Sequence, residues 1–462
     1  MKLFDRRRNE KTKMKIKNIF HIFSFLFIAI LIFGYIGFVS TALYVSARGN
    51  VYYVAKNGND QNPGTFDSPW LTIQQAAEKM LAGDKVLIRK GVYHEHIYTV
   101  HSGDIKDYII FSAYPDEVPI IDGTGVIESQ NGFIIDKSYI KLMGLEMANW
   151  DENAIWIENA GYIGISDCEI HDICCGIGIA DGTHHFEFNR VVAYHFDLYG
   201  FDVSPSGGVD CHHGIFNDCI AHSSRDPEQN VDGFALGHGM QHNFVLNRCA
   251  SYNVFDGFDI SARATTLNRC AAHDCWNSGY KIWQDEITLV NCLGYHNDIS
   301  NVELDWDGEP GRTTLQNCTF TDSGPYNIWV ENAADSLSMY NCILAGGDNI
   351  GLAFEQRDAS NYKGDYNLFH NNDVDRLIAI GYTEEFSLAR LDEWQAYSGQ
   401  DAHSLVAFSV SEVFIDPINF DFHLSEGSLA INNGTNTNVP SEDYDANPRP
   451  QGNKYDIGAF ER

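Results

Sequence analysis

The 462-residue chain has only 12 prolines, and no Pro/Ser-rich stretch interrupts it after residue 48, so nothing marks a linker between domains. Its eleven cysteines are odd in number and contain no Cys-x-x-Cys pair, which removes the usual signs of a disulfide framework. Basic residues are scarce: 31 Lys and Arg stand against 63 Asp and Glu, a formal net charge of −32 at pH 7. Nine of those basic residues and two of the acidic ones lie in the first 48 positions, so the remainder carries a formal charge near −39. Phosphate binding needs a basic face, and nucleic acid is thereby excluded as a partner. A polyanionic substrate is also repelled unless a cation or a local basic group offsets the field.

The first 48 residues differ in composition from all that follows and read as a targeting segment, outside the fold. Lys2, Arg6, Arg7, Arg8, Lys11, Lys13, Lys15 and Lys17 open it. An apolar run from Ile19 to Val45 follows, broken only by weakly polar residues such as His21, Ser24 and Ser40, and it is long enough to cross a bilayer. Val45-Ser46-Ala47 offers a small-residue cleavage site, so a cleaved signal peptide and a retained anchor are both open. In either case the rest of the chain is expected to be exported, as a secreted or cell-surface monomer that meets the membrane only through residues 19–45 if they are kept.

Two interleaved ladders run through the remainder. In the first, a polar residue precedes cysteine: Asp167-Cys168, Asp218-Cys219, Arg248-Cys249, Arg269-Cys270, Asn291-Cys292, Asn317-Cys318 and Asn341-Cys342. Neighbours in the last five members are 21, 22, 26 and 24 residues apart, which suits an internal stack of small apolar side chains. Cys168, His171, Cys174 and Cys175 could imitate a zinc site, but their spacing fits none of the usual patterns.

The second ladder is apolar-x-apolar: Ile155-Trp156-Ile157, Ile177-Gly178-Ile179, Phe201-Asp202-Val203, Phe234-Ala235-Leu236, Phe258-Asp259-Ile260, Tyr280-Lys281-Ile282, Val302-Glu303-Leu304, Ile328-Trp329-Val330 and Ile350-Gly351-Leu352. Each reads as a short strand with its flanks inward and its middle outward. Their spacing, mostly 22 to 26 residues with one step of 33, is one solenoid coil per step. A helical repeat is excluded, because these windows lack a helix's longer apolar periodicity and are rich in Asn, Gly and β-branched residues. The fold class is therefore all-β, a right-handed parallel β-helix with coils stacked at roughly 4.8 Å. Residues 49–462 form one domain: an amino-terminal cap over 49–100, coils over 101–370 and a carboxyl-terminal cap region over 371–462. The first cap holds strands at Val51–Val54 and Lys85–Arg89 around an amphipathic helix from Thr72 to Leu81. In the last, Phe386 to Tyr397 reads as helix, and Asp416–Leu424 and Asp456–Phe460 as closing strands.

In register, Asp232 and Asp256 occupy one corner of adjacent coils, and Asp259 lies three residues on, at the outward middle. Three carboxylates so placed suit a hard, oxygen-seeking cation such as Ca²⁺. Asp-Gly pairs also favour tight bends whatever the function, and Asp259 with Lys281 could be a cross-strand ion pair. Neither explains why the one lysine of the column sits beside these carboxylates.

The pattern resembles polysaccharide lyase family 9, pectate and related uronan lyases on a right-handed β-helix. Asp232 to Ala235 looks like the family's Asp-Gly-Phe-Ala coil, Phe255 to Asp259 like its Asp-Asp-Gly-Trp-Asp calcium coil, and Gly279 to Lys281 like its Gly-Phe-Lys coil. The resemblance implies calcium held by Asp232, Asp256 and Asp259, Lys281 as general base, an acidic polysaccharide as substrate, and β-elimination as the reaction. Phe255 departs from it, standing where the family has a further aspartate. Asp202, Glu303, Trp156, Trp283 and Trp329 are candidate substrate-binding residues, the tryptophans as sugar-stacking platforms.

Other readings of the same residues stay open. Tyr199-Gly200-Phe201-Asp202 is similar to the start of the mannuronan C5-epimerase motif, but Val203-Ser204-Pro205 follows where Pro-His-Asp belongs. An inverting glycosidase would need an acid and a base carboxylate, available among Asp202, Asp232, Asp256 and Asp259. A non-catalytic carbohydrate-binding or adhesin-like solenoid needs none of these groups.

Overall fold

The period-two triplets form strands because each buries both apolar flanks, and three short strands with three connecting turns complete a coil. One such coil comprises Ile287–Val290, Leu293–Tyr295 and Ser300–Leu304. The computed structural model describes residues 49–462 except 127–129, 205–206, 227, 238–240, 306–310, 332–335, 348–349, 356–358, 374, 382–383 and 438. The expected targeting segment lies outside the described residues. Gly49–Arg462 form one unit, and among the described residues no helix is long and apolar enough to cross a membrane.

Rungs pair in parallel from coil to coil. The first sheet has thirteen strands in chain order, from Val51–Val54 to Tyr362–Asp365. Rungs thus begin inside the segment expected to be only a cap. They also continue past residue 370, where Leu405–Val406 pairs with Leu368–Phe369 and Ile378–Ile380 with Ile350–Phe354. The interior is a file of stacked side chains. Phe201, Phe234, Phe258 and Tyr280 follow one another face to face at 4.6, 4.9 and 5.2 Å.

The polar-Cys ladder marks one corner. Asp167, Asp218, Arg248, Arg269, Asn291, Asn317 and Asn341 all adopt left-handed backbone, with φ between 51° and 56°. Asp and Asn tolerate this conformation better than other residues with a Cβ, which accounts for their prevalence before each cysteine. Bidentate pairs between successive corners, Arg190 on Asp167 and Arg248 on Asp218, brace it from outside. All eleven cysteines are free, and every one except Cys174 is buried, as an internal stack requires. Among the described residues Cys168, His171, Cys174 and Cys175 do not converge as a metal-ligand group.

Both ends are closed. At the amino end a helix spans Ile73–Lys79, capped by the Thr72 hydroxyl, which accepts from Gln75 N. It is shorter than expected, because Met80 leaves helical geometry at ψ 140°. At the carboxyl end the expected helix is divided. Glu384–Phe386 pairs antiparallel with Ile378–Ile380, a short 3₁₀ turn spans Leu388–Arg390, and helix covers only Leu391–Ser398. Phe386 prefers the strand because there its ring packs against buried Trp394. Asp416–Leu424 is likewise no single strand but part of a hairpin, Phe414–Asp416 with Asp421–Leu424. Asp456–Phe460 is not a strand. Its backbone is bonded by the coil corners instead, with Gly458 N donating to Asn341 O and Asn317 Nδ2 donating to Asp456 O.

Candidate active site

The outward column runs in register through Trp156, Gly178, Asp202, Ala235, Asp259, Lys281, Glu303 and Trp329. The next member is Ala353 rather than Gly351. Ile350, Leu352 and Phe354 are all buried, so the sequence offers two equivalent triplets there, and pairing selects the later one.

Two positions before the inner residues Phe234, Phe258, Tyr280 and Val302 lies a second file: Asp232, Asp256, Ser278 and Ser300. Asp232 and Asp256 are 2% and 0% exposed, deep enough that each polar atom needs a partner. Asp256 Oδ1 accepts from Ser278 N at 2.9 Å and Asn277 Nδ2 at 2.8 Å. Its Oδ2 has no protein partner, and neither has Asp232 Oδ1 or Asp259 Oδ1. One orphaned carboxylate oxygen on each of three neighbouring aspartates is costly unless protons or a cation are shared among them.

The electrostatics agree. Burial, reinforced by Asp259 and Asp256, pushes the Asp232 carboxyl well above the usual range. Burial lifts Asp256 to about 7 and Asp259 to about 6, against the pull of Lys281. These donors suit calcium in kind, since a hard cation takes carboxylate oxygens. Their oxygens do not, however, all lie within 4.8 Å of one another, as donors around one ion do. Among the described residues only His185, His212 and His213 meet that condition. The three expected ligands thus share a face without closing on a point, and Phe255, where the resemblance implies a further aspartate, is partly exposed beside Asp256.

Lys281 projects from the coil after Asp259. Its Nζ lies 3.6 Å from Glu303 Oε1, 3.7 Å from Asp305 Oδ2 and 4.7 Å from the centre of the Trp283 ring. Burial works to lower its pKa, but Glu303, Asp256, Asp305 and Asp259 together outweigh burial and hold it above its ordinary value. Glu303, 3% exposed, is fixed by Ser278 Oγ, which donates to Oε2 at 2.5 Å.

The remaining candidates divide. Trp283 adjoins Lys281, and its buried indole N–H draws the Asp259 carboxyl down against burial, although no acceptor lies within direct hydrogen-bond distance of Nε1. Asp202 is buried two rungs from Asp259 and accepts from the Ser204 hydroxyl. Trp156 lies four rungs from Asp259, about 19 Å at the usual spacing, and lays its ring over Gly178, where an added Cβ would come within 2.6 Å of it. Trp329 is two rungs beyond Lys281 and stacks on Tyr326 at 5.3 Å. Asp305 and Glu331 were not singled out from the sequence. They follow Leu304 and Val330 directly and continue the rungs, with backbone N–H groups donating to Ile282 O and Leu304 O. Glu331 is pushed up to about 8, first by burial and then by its hydrogen bond with Asp305.

Comparison with known proteins supplies the family. A 121-residue stretch is 37% identical to the uncharacterized protein YwoF of Bacillus subtilis, covering a quarter of each chain. Over 302 residues the chain is 27% identical to the pectate lyase PEL9 of Emericella nidulans, covering 64% of this chain and 69% of that one. Among solved structures it is similar to pectate lyase Pel9A, with TM-score 0.55 and 17% identity over 90% of this chain and 96% of that one. It is also similar to XylC in complex with xylose, with TM-score 0.54 and 12% identity over 89% and 99% of the two chains. At such identities the structural likeness shows the fold. The model of the Pel9A-like right-handed β-helix region matches residues 52–309, more than half of the chain, and the protein belongs to that polysaccharide-lyase-like family.

Proposed function

We propose that this chain is an exported polysaccharide lyase that cleaves a 4-linked uronan, pectate-like, by calcium-assisted β-elimination. One observation carries the reading: a single lysine stands among three aspartates whose orphaned oxygens are Asp232 Oδ1, Asp256 Oδ2 and Asp259 Oδ1. A relative named as a pectate lyase, aligned over 302 residues, supports it.

Asp232, Asp256 and Asp259 are the residues that would hold the cation. When bound, calcium supplies a positive charge that pairs with the substrate carboxylate and acidifies the proton on C5. Lys281, in its neutral form, takes that proton. The C5–H electrons form the C4–C5 double bond, the C4–O bond breaks, and the departing oxygen takes a proton from solvent. Trp283, under the lysine, screens it from water on one side and can face a sugar ring. Neutral lysine is the difficult requirement, because four carboxylates favour the ammonium. With Asp256 and Asp259 engaged by a cation, two of the four are offset. Activity is therefore expected to rise toward alkaline pH.

The test is release of an ultraviolet-absorbing unsaturated uronide from a panel of acidic polysaccharides at alkaline pH with calcium. Polygalacturonate or a related uronan is expected to yield it, chelation to suppress it, and Lys281→Ala to lower it by about 10²–10⁴-fold, the share of a general base. No product from any uronan, or full activity in Lys281→Ala, overturns the reading.

A further inference from the structure

Away from the carboxylate column, the first sheet carries a second group of metal-ligating side chains. His184, His212 and His242 are register partners on three successive rungs, and His185 and His213 follow the first two in sequence. The imidazoles form two files. In one, His212 lies between His184 and His242, 5.4 Å from each ring. In the other, His185 is held between Tyr162 at 5.0 Å and His213 at 4.8 Å.

Consecutive residues of a strand normally point to opposite faces. Here His185 and His213 adopt left-handed backbone, φ 52° and 58°, uncommon for residues with a Cβ, and each imidazole meets its predecessor's. His212 Nδ1 lies 2.7 Å from His213 Nδ1, and His184 Nδ1 lies 3.0 Å from His185 Nδ1. A neutral imidazole has one N–H and one lone pair, so each contact holds one proton between two nitrogens. That proton occupies the place a cation could take. One ligand nitrogen from each of His185, His212 and His213 lies within 4.8 Å of the other two. The group borders a cavity of about 500 Å³, walled by His185, His213, Tyr108, Lys141, Tyr162 and Glu187.

We propose that His185, His212 and His213 form a binding site for a borderline divalent cation of the zinc class, with one position open toward this cavity. Three imidazoles and an open fourth position match the preference of zinc, while the carboxylate column suits a harder ion. Zinc–nitrogen bonds of about 2.0–2.1 Å set tetrahedral ligand nitrogens about 3.3 Å apart. The His212–His213 contact needs to open by only about half an ångström to reach that separation. The stacked neighbours already fix the rings, so little rotamer freedom is lost on binding. A bound cation would tie the rungs His184–Asn189 and His212–Asn217 together across their outer face.

Calorimetric titration of Zn²⁺ into the full chain, with calcium in excess, tests the site. One equivalent is expected to bind saturably. His185→Gln and His213→Gln are each expected to weaken binding by more than the roughly 10–100-fold that losing a mere partner of a ligand costs. Both histidines are exposed, and an unchanged melting temperature without metal verifies that the variants are folded. Asp256→Asn and Cys174→Ser, which alter the carboxylate column and the one cysteine that is not buried, are expected to bind zinc as the parent does. Absence of one-equivalent binding, its survival in the His185→Gln/His213→Gln double variant, or its loss in Asp256→Asn or Cys174→Ser overturns the proposal.

Discussion

Lys281 and Glu303 are register partners on adjacent coils, and the lysine Nζ lies 3.6 Å from a Glu303 carboxylate that is buried against Ser278. Glu303 is the first of the carboxylates that hold the lysine protonated. In Glu303→Gln the amide still accepts from Ser278, but the charge is gone. The alkaline rise in uronide formation is expected to move to lower pH, and each unit of displacement multiplies the neutral-lysine fraction at a given pH about tenfold. A profile that stays in place while only KM changes would put Glu303 on the substrate instead of on Lys281.

Phe255 precedes Asp256 and is partly exposed, with its N–H donating to Val231 O at 2.8 Å. The resemblance to the lyase family puts an aspartate here. Phe255→Asp leaves that backbone bond intact and adds an acidic oxygen donor beside three that do not close on a point. Calcium affinity follows ligand charge and number, so calorimetry is expected to show tightening of at least about tenfold. Unchanged affinity would mean that position 255 does not face the cation.

The coils were legible in the sequence because each triplet buries two side chains around one exposed one, so that Phe234 with Leu236 and Phe258 with Ile260 announce their own register. The alignment of Asp232 with Asp256 followed from counting back two residues in each. Asp305 and Glu331 escaped because the triplets were read only as far as their inner flank, although one more residue in each would have exposed an acidic row beside Lys281. How far apart three carboxylates stand depends on side-chain rotamers, on which the repeat is silent. The carboxyl-terminal closure was hidden for another reason. Phe386 and the segment Asp456–Phe460 are placed by distant partners, Trp394 and the corner asparagines, rather than by local periodicity.

That closure rests on a buried ion pair. Arg449 Nη1 meets Glu461 Oε2 at 2.8 Å, with both side chains fully inaccessible, and Arg449 also donates to Gly458 O and Asn291 Oδ1. Glu461→Gln would remove the one carboxylate in contact with the guanidinium and leave only the longer-range pull of Asp443 and Asp456, at a cost of up to about 3–5 kcal/mol. Replacing both partners, as Arg449→Met with Glu461→Leu, is expected to recover part of that loss, because the desolvation of both ions disappears. Chemical denaturation of the single and double variants measures both effects. A Glu461→Gln protein as stable as the parent would mean that the closing segment contributes little to holding the last coils.

The aspartates make a further prediction, about stability instead of rate. Asp256 and Asp259 are lifted to about 7 and about 6 in the folded protein and Asp232 is raised as well, whereas unfolded aspartate titrates near 3.9. Between about pH 4 and pH 7 these three carboxyls therefore hold more protons in the folded chain than in the unfolded one, and the stability they contribute falls as pH rises through that window. The contribution is fully present below the unfolded value and is lost through the folded ones. In chelator, the melting temperature of the parent relative to Asp256→Asn is expected to decline from pH 4.5 to pH 7.5, since the amide removes one titrating member and part of the repulsion. Calcium should reverse the decline at pH 7.5 and have little effect at pH 4.5, where protons already occupy the oxygens it would take. A difference between the two proteins that is flat with pH would mean that the carboxylates ionise without penalty, and the electrostatic argument for a cation among them would fall with it.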